Sequence, residues 1–598
     1  MVARSHDSGS GREVSQTVED RGHESRDGHH ELNFIRKYVL SVDHKVIGKQ
    51  YMTLAAMMAL IGGAASYLIR WQLAWPETPV PLMHWVPEPY MYEGVLPPNT
   101  YNAMFTMHGT VMVFFVAMPL LLGAFGNFLI PLMIGADDMA FPKLNTLSFW
   151  TLFVASCILV SSIFTADGPA AAGWTSYAPL SANPDYTGVY LGQNLWIIAV
   201  AVEFASFLIG GINFLTTVLN LRAPGMGLMR MPILVWMQII AAVVFLLSVG
   251  PLVGGAVMLL LDRTMGTGFF RPDRGGDPLL WEHLFWYFGH PEVYVVALPG
   301  FGIMLEVLPV FARKPIFGYR MVIWTTLAAG VLSFVVWAHH MFLSGLDPRL
   351  VTPFSITTII ISVPFAILVF AMIATIWGGQ IWFSAAMLFA LGGLTTFIIG
   401  GLTGIFLGAS AVDIYLHGTY FVVAHFHYTL FPVVFFAGFT GIYYWFPKMF
   451  GRLMNETLGK LHFWMTFLCF NGVFLPLFWV GLGGAPRRLY EFTNYAMFNH
   501  LQNLHVYATI STIGLLSSQG LFIVNFFYSL FFGKKAGRNP WQANTLEWTV
   551  DSPPHHPNFE IPPQVYRDPY EYGVPGFAED FLPQTAVVVD EPRLDAVS

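Results

Sequence analysis

The chain has 598 residues, of which 55% are hydrophobic, 16% aromatic and only 11% charged, with a formal net charge of −7. Soluble domains carry about 25% charged residues, so this composition excludes a soluble globular protein and specifies a polytopic membrane protein. The small net charge gives no basis for nucleic-acid binding, and two cysteines in apolar runs, Cys157 and Cys469, exclude a disulfide framework, a thiolate metal site and a paired-cysteine copper centre on this chain.

Residues 1–45 are polar and contain no apolar core of a signal peptide, so they read as a polar tail. About twelve apolar segments of spanning length follow, near 48–73, 103–134, 146–166, 189–220, 231–261, 282–311, 320–344, 353–377, 381–410, 415–446, 459–483 and 500–533. They predict an all-α membrane bundle over 46–533, with no internal repeat. An even number of spans puts both tails on one side. Lys143, Arg222, Arg230, Arg313, Lys314, Arg320, Lys448, Arg452 and Lys460 lie in alternate loops, and Lys534, Lys535 and Arg538 follow the last segment; these make that side cytoplasmic. The opposite loops hold Arg263, Arg271, Arg274, Arg487 and Arg488, so the charge rule is followed only in part. Residues 534–598 are rich in proline, acids and aromatics without helical periodicity, and read as an extended tail over partner surfaces or as disorder. His555 and His556 in it are expected to face solvent.

Six histidines inside apolar segments carry the functional argument: His108, His290, His339, His340, His425 and His427. An imidazole in a membrane interior is costly unless something binds it. His425 and His427, two residues apart, point roughly 200° apart on a helix. One helix can thus serve two metal centres, or present two polar residues to a bundle. Neutral imidazole suits copper and haem iron.

The motifs Thr106-Met107-His108-Gly109, Gly289-His290-Pro291-Glu292-Val293-Tyr294, Trp337-Ala338-His339-His340 and His417-Gly418-Thr419-Tyr420 through His425-Phe426-His427 resemble subunit I of the haem–copper terminal oxidases, of the type with a glutamate in segment 6. The resemblance runs from Asp43-His44-Lys45 to Leu546-Glu547-Trp548. It implies a bundle enclosing two haems and one copper. His108 and His427 would hold a low-spin haem, His425 a high-spin haem, and His290, His339 and His340 the copper. Tyr294, four residues after His290 on one helix face, would be the tyrosine that the family joins covalently to a copper ligand. Nitric oxide reductases of the superfamily characteristically lack it. Trp174, Arg487 and Arg488 would contact haem propionates, Asp413 and His417 would lie near the high-spin haem, and Arg70 would face the low-spin haem's ring substituent.

The same resemblance makes Glu292 the proton-branching carboxyl and Asp138 the proton intake, with Asn127, Asn145, Ser206 and Asn213 between them; Asp137 is the neighbouring candidate. A second route is broken, because Leu368, Phe365 and Leu305 stand where the family has lysine, threonine and serine. Glu306, twelve residues after Tyr294 and about 18 Å along the helix, and Thr358 mark either an altered route or, for Glu306, a contact with a partner subunit. Gly418 stands where many relatives have an acidic magnesium ligand, which puts a magnesium site in question. Glu203 is an intramembrane carboxyl without a role. Ile61, Ala65, Thr100 and Ala103 replace most of the polar groups of quinol-oxidising relatives.

The implied activity is reduction of O2 to water with electrons from cytochrome c through a subunit II that bears a two-copper centre, coupled to proton pumping. The implied haems are of type a and the implied partners include subunit III. The implied location is a bacterial inner membrane, with both termini cytoplasmic. A nitric oxide reductase or a quinol oxidase is the alternative enzyme, and a transporter without redox chemistry the alternative from another class.

Overall fold

A computed structural model describes residues 33–88, 90–574 and 577–587. Most of the polar tail expected over 1–45 lies outside the described residues. Its described part contains a five-residue helical turn, Ile35–Val39. The compact body begins at Val42.

The body is helical, and among the described residues β-pairing is limited to isolated bridges. Eleven described helices are long and apolar enough to cross a membrane. We number them with one shorter helix in chain order: α1 His44–Ala74, α2 Pro98–Ile134, α3 Pro142–Phe164, α4 Leu191–Asn220, α5 Ile233–Thr264, α6 Pro278–Ala312, α7 Tyr319–Leu332, α8 Pro348–Ile376, α9 Ala385–Gly408, α10 Tyr420–Phe450, α11 Glu456–Leu482 and α12 Gln502–Phe532.

Helix ends follow capping residues rather than hydropathy. Asp277 accepts from Leu279 N and starts α6 at Pro278; Asp347 accepts from Arg349 N and starts α8 at Pro348. Both proline-led starts precede the apolar stretch by several residues, because a proline at N1 gives up no helical hydrogen bond. The tenth segment, expected from 415, is corrected in the same way. Residues Ser410–Leu416 form a separate short helix, Gly418 adopts φ +71°, and α10 begins at Tyr420 under a Thr419 cap.

Segment 7 is also corrected. It was expected as one helix to 344, but α7 ends at Leu332 and gives way to tight turns over Ser333–Val335 and Trp337–Met341. On a regular α-helix neighbouring side chains diverge by roughly 100°. In the tight turn Trp337–Met341 the rings of the adjacent His339 and His340 lie 4.2 Å apart.

α6 is the axis of the bundle. Its most apolar stretch is entirely buried, and a Cβ on Gly300 would lie within 2.1 Å of the Val433 carbonyl oxygen of α10. Backbone contact of this kind requires glycine and fixes the two ligand-bearing helices against each other.

The C-terminal stretch departs most from expectation. It is extended, with one turn at Leu546–Trp548, and it packs on this chain's own helices. Trp541, Leu546, Trp548, Tyr570 and Tyr572 are buried. Arg313 donates to the Trp541 and Gln542 carbonyls, and Lys448 Nζ to the Val550 carbonyl at 2.7 Å. Basic residues read as charge markers of the inner loops thus also anchor the tail. His555 and His556 are exposed, as expected.

Candidate metal and proton-transfer site

α10 carries the two opposed imidazoles. His427 faces His108 of α2 with ring centroids 6.5 Å apart and planes 18° from parallel. That gap exceeds ring contact and leaves room for one ion bonded at about 2 Å to each ring. His108 Nδ1 donates to the Gly62 carbonyl of α1 at 2.9 Å, and His427 Nδ1 to the Val423 carbonyl at 2.8 Å. A carbonyl can only accept, so each Nδ1 carries the proton and each Nε2 keeps its lone pair. His425 turns the other way, with Nδ1 3.0 Å from the Gly400 carbonyl and 3.1 Å from Thr403 Oγ1 of α9. A Cβ on Gly404 would stand 3.0 Å from its Cε1, so this helix edge must be bare for the ring to fit.

His290 of α6 and His339 and His340 of the tight turn Trp337–Met341 offer ligand atoms that all lie within 4.8 Å of one another. His290 Nδ1 is 3.3 Å and His339 Nε2 3.1 Å from His340 Nε2. Such spacing suits donors shared by one ion at about 2.0–2.1 Å, and an all-imidazole set suits copper, zinc or iron rather than a hard cation. Trp286 stacks on His340 at 3.7 Å, and Thr358 Oγ1 lies 2.9 Å from His339 Nδ1. The Tyr294 ring lies 4.7 Å from that of His290.

All six histidines line one cavity of about 1430 Å³ with predominantly apolar walls. This exceeds the roughly 300–1,000 Å³ of ordinary small-ligand sites and fits more than one large apolar group. Arg70, Trp174, Asp413, His417, Arg487 and Arg488 lie on the same cavity. Arg70 is buried rather than reaching to the membrane surface, and Nη2 donates to the His505 carbonyl at 2.7 Å. Trp174 packs so closely on α2 that a Cβ on Gly109 would lie 2.9 Å from it. His417 Nδ1 pairs with Asp413 at 3.1 Å. Neither the Arg487 nor the Arg488 guanidinium forms an ion pair among the described residues. Burial lowers both from the usual arginine range, Arg488 to about 10. Two half-buried guanidiniums at the rim, without an ion pair among the described residues, fit anionic carboxylates of a bound group.

At the opposite end of the bundle, Asp138 accepts from Met139 N at 2.7 Å, and burial pushes its carboxyl up to about 6. Asp137 is instead engaged by the tail through Phe559 N. Above Asp138, Asn213 holds both backbone groups of Phe141, Ser206 donates to the Ser148 carbonyl at 2.6 Å, and Tyr51 OH lies 2.8 Å from Ser148 Oγ. Both amide atoms of Asn145, the Asn127 oxygen and both Glu292 oxygens are buried without partners among the described residues. Buried amides and carboxyls left open in this way suit ordered water.

The second route holds no such line. Leu305 and Leu368 are fully buried, and Phe365 stacks on Tyr294 at 5.1 Å. Thr358 belongs to the His339 end. Glu306, 1% exposed, accepts from Tyr570 OH of the tail at 2.6 Å. A partner subunit is therefore not needed to explain that glutamate; its contact is with its own chain. Gly418 carries no side chain toward His417, and its carbonyl accepts from Arg487 N.

The six-histidine count missed His462 and His505, which also lie within apolar segments. Both are fully buried among aromatic rings, His462 against Phe439 and His505 against Phe492. They do not line the cavity. Tyr570 and Asn558 were missed too, since their partners are hundreds of residues away; the run of buried aromatics in the tail was the available signal.

Two sets of converging imidazoles on one cavity of a helical membrane core fit the haem–copper class of oxidoreductases. Residues 46–516 match the family model for cytochrome c and quinol oxidase polypeptide I. The chain is 44% identical over 571 residues to the alternative cytochrome c oxidase subunit 1 of Bradyrhizobium diazoefficiens, spanning 93% of this chain and 94% of that protein. It is 43% identical to cytochrome c oxidase subunit 1 of Thermostichus vulcanus (90% and 93% covered) and 42% identical to that of Bacillus subtilis (88% and 81%). A cryo-EM structure of a haem–copper terminal oxidase dimer shares the fold, with TM-score 0.65 and 18% identity over 82% of this chain and 85% of that one. The chain belongs to the cytochrome c and quinol oxidase polypeptide I family. It is the catalytic subunit of a respiratory terminal oxidase, a multi-pass membrane protein of a family that carries haems and copper and assembles with other oxidase subunits.

Proposed function

We propose that this subunit reduces O2 to water with electrons from cytochrome c, received through a subunit II that bears the two-copper centre, and couples the reaction to proton pumping. Subunit III and a bacterial inner membrane, with both termini cytoplasmic, complete the assignment. His108 and His427 would hold a low-spin haem, His425 a high-spin haem, and His290, His339 and His340 the copper; magnesium is not assigned. The haems, of type a, and the copper supply electron transfer and dioxygen activation when bound. The observation that carries this reading is the convergence of His290, His339 and His340 opposite His425 on one cavity.

The chain's own residues do the rest. Backbone carbonyls fix the tautomers of His108, His427 and His425, so each presents a bare Nε2. Arg487 and Arg488 bind carboxylate substituents, Trp174 closes the cavity beside them, and Asp413 holds His417 in place. Arg70 faces the ring substituent of the low-spin haem. Tyr294 gives a proton and an electron at the centre, and Glu292 holds the proton that reaches it from Asp138 past Asn127, Asn145, Asn213 and Ser206. Glu306, joined to Tyr570, stands at the inner end of the altered second route.

The apolar surroundings of Ile61 and Ala65 support cytochrome c over quinol as donor. Tyr294, Glu292 and the polar line above Asp138 support O2 over nitric oxide as substrate. Turnover of the purified oxidase with O2 and with NO, using cytochrome c and then a quinol, tests both. Faster NO than O2 consumption would reject the reading. A reduced-minus-oxidised spectrum without haem bands would leave only a transporter.

A further inference from the structure

Glu203 of α4 is a buried intramembrane carboxyl that the roles above leave unused. It is fully buried, and neither oxygen has a hydrogen-bond partner among the described residues. A carboxyl so placed in a membrane interior marks a proton or ion route.

Its position continues a polar stripe. Glu203, Ser206, Asn213 and Thr217 follow one face of α4, and Ser206 lies one turn, about 4.5 Å of helix rise, from Glu203. Ser206 and Tyr51 meet at Ser148. A cavity of about 10 Å³ between Tyr51 and Asn127 is about the size of one water and joins Tyr51 to the amides above Asp138. On the other side, Glu203 is close enough to Glu292 of α6 and to Tyr51 of α1 for their charges to interact. The titratable groups that interact with Glu203 are Tyr51 of α1 and Glu292 of α6.

We propose that Glu203 is a proton-carrying residue of the supply line, lying between Ser206 and Glu292. The proposal rests on the assignment of the Asp138 line made above. The acid O–H of Glu203 breaks as its proton passes through water to the carboxylate of Glu292. The Glu203 carboxylate then takes a proton from the Tyr51–Ser148–Ser206 side, which Asp138 resupplies. No electron moves.

The test uses the complete purified oxidase and the isosteric Glu203→Gln variant, with unchanged haem spectra as the check on folding. Infrared difference spectra on reduction, in H2O and D2O, should lose one protonated-carboxyl band in Glu203→Gln and show it displaced in Glu203→Asp. Proton uptake should slow roughly 100-fold in Glu203→Gln, the lower end of what one positioned proton-transfer group contributes, and recover in part in Glu203→Asp. Wild-type uptake in Glu203→Gln, with or without loss of the band, overturns the proposal. If Asp138→Asn slows uptake while Glu203→Gln does not, only the role of Glu203 is lost. If Asp138→Asn leaves uptake unchanged, the supply line itself is wrong.

Discussion

Replacing Tyr570 by phenylalanine isolates one hydrogen-bonding atom that ties the tail to α6. The ring stays, so packing against Tyr319 at 6.3 Å is kept and no cavity opens. The hydroxyl makes two contacts: it donates to Glu306 at 2.6 Å and accepts from Ile233 N at 2.7 Å. Without it, Glu306 keeps only the Leu234 amide at 3.4 Å, and Ile233 N, an N-terminal helix amide with no partner inside its own helix, is orphaned. An unsatisfied buried group costs about 1–3 kcal/mol, so two such losses weaken docking of this part of the tail by about 2–6 kcal/mol. At 1.4 kcal/mol per tenfold, the undocked fraction rises roughly 30- to 20,000-fold. Limited proteolysis reads this directly, because cleavage of a transiently opened segment follows its equilibrium population when reclosing is fast. Cleavage of the tail should accelerate by that factor in Tyr570→Phe and stay at the wild-type rate in Tyr566→Phe, whose ring is exposed. Equal cleavage rates in Tyr570→Phe and wild type would refute the reasoning.

Gly404→Ala places a methyl against the His425 ring. The purified variant should keep the low-spin haem and lose part of the high-spin haem, measured as the ratio of the two spectral components; an unchanged ratio refutes the packing argument. Asp138→Asn should gain thermal stability relative to wild type as pH rises from about 4 to 6. The folded carboxyl, held up to about 6 by burial, binds more protons than the unfolded one in that window, so raising pH costs the wild type stability that the variant keeps. A difference in Tm that is flat across the window counts against it. Arg488→Met should weaken retention of the bound groups during detergent washing without a change in fold by circular dichroism, because one of two unpaired guanidiniums is lost; wild-type haem content after washing would count against the carboxylate role.

The histidines that the fold gathers on one cavity were readable from the chain because imidazoles are costly in spans, and His425 and His427 sit at a spacing that demands two directions. The spans were readable to within several residues, since hydropathy reports burial in lipid while capping residues such as Asp277 and Thr419 set the ends. The break after Leu332 was not readable, as Phe334-Val335-Val336-Trp337-Ala338 stays apolar straight through it. The packing of the tail was hidden for a different reason. Its contacts are side chains such as Asn558 and Tyr570 reaching distant helices from an extended backbone, which has no period to detect. His462 and His505 are the converse: both were visible in their spans, yet ring packing among aromatics, not ligation, accounts for their burial.

The contacts of Asn558 set a timetable for synthesis. Its side chain bonds His44 and the Ala136 carbonyl, partners 514 and 422 residues earlier in the chain, and Phe559 N bonds Asp137 beside Asp138. At about 5–20 residues per second, translation covers 422 residues in roughly 20–80 s. During that interval the first helices are already made, while the rim around Asp138 lacks its final piece. The nascent subunit therefore closes the rim around Asp138 late, after every helix that carries a cavity-lining histidine has left the ribosome.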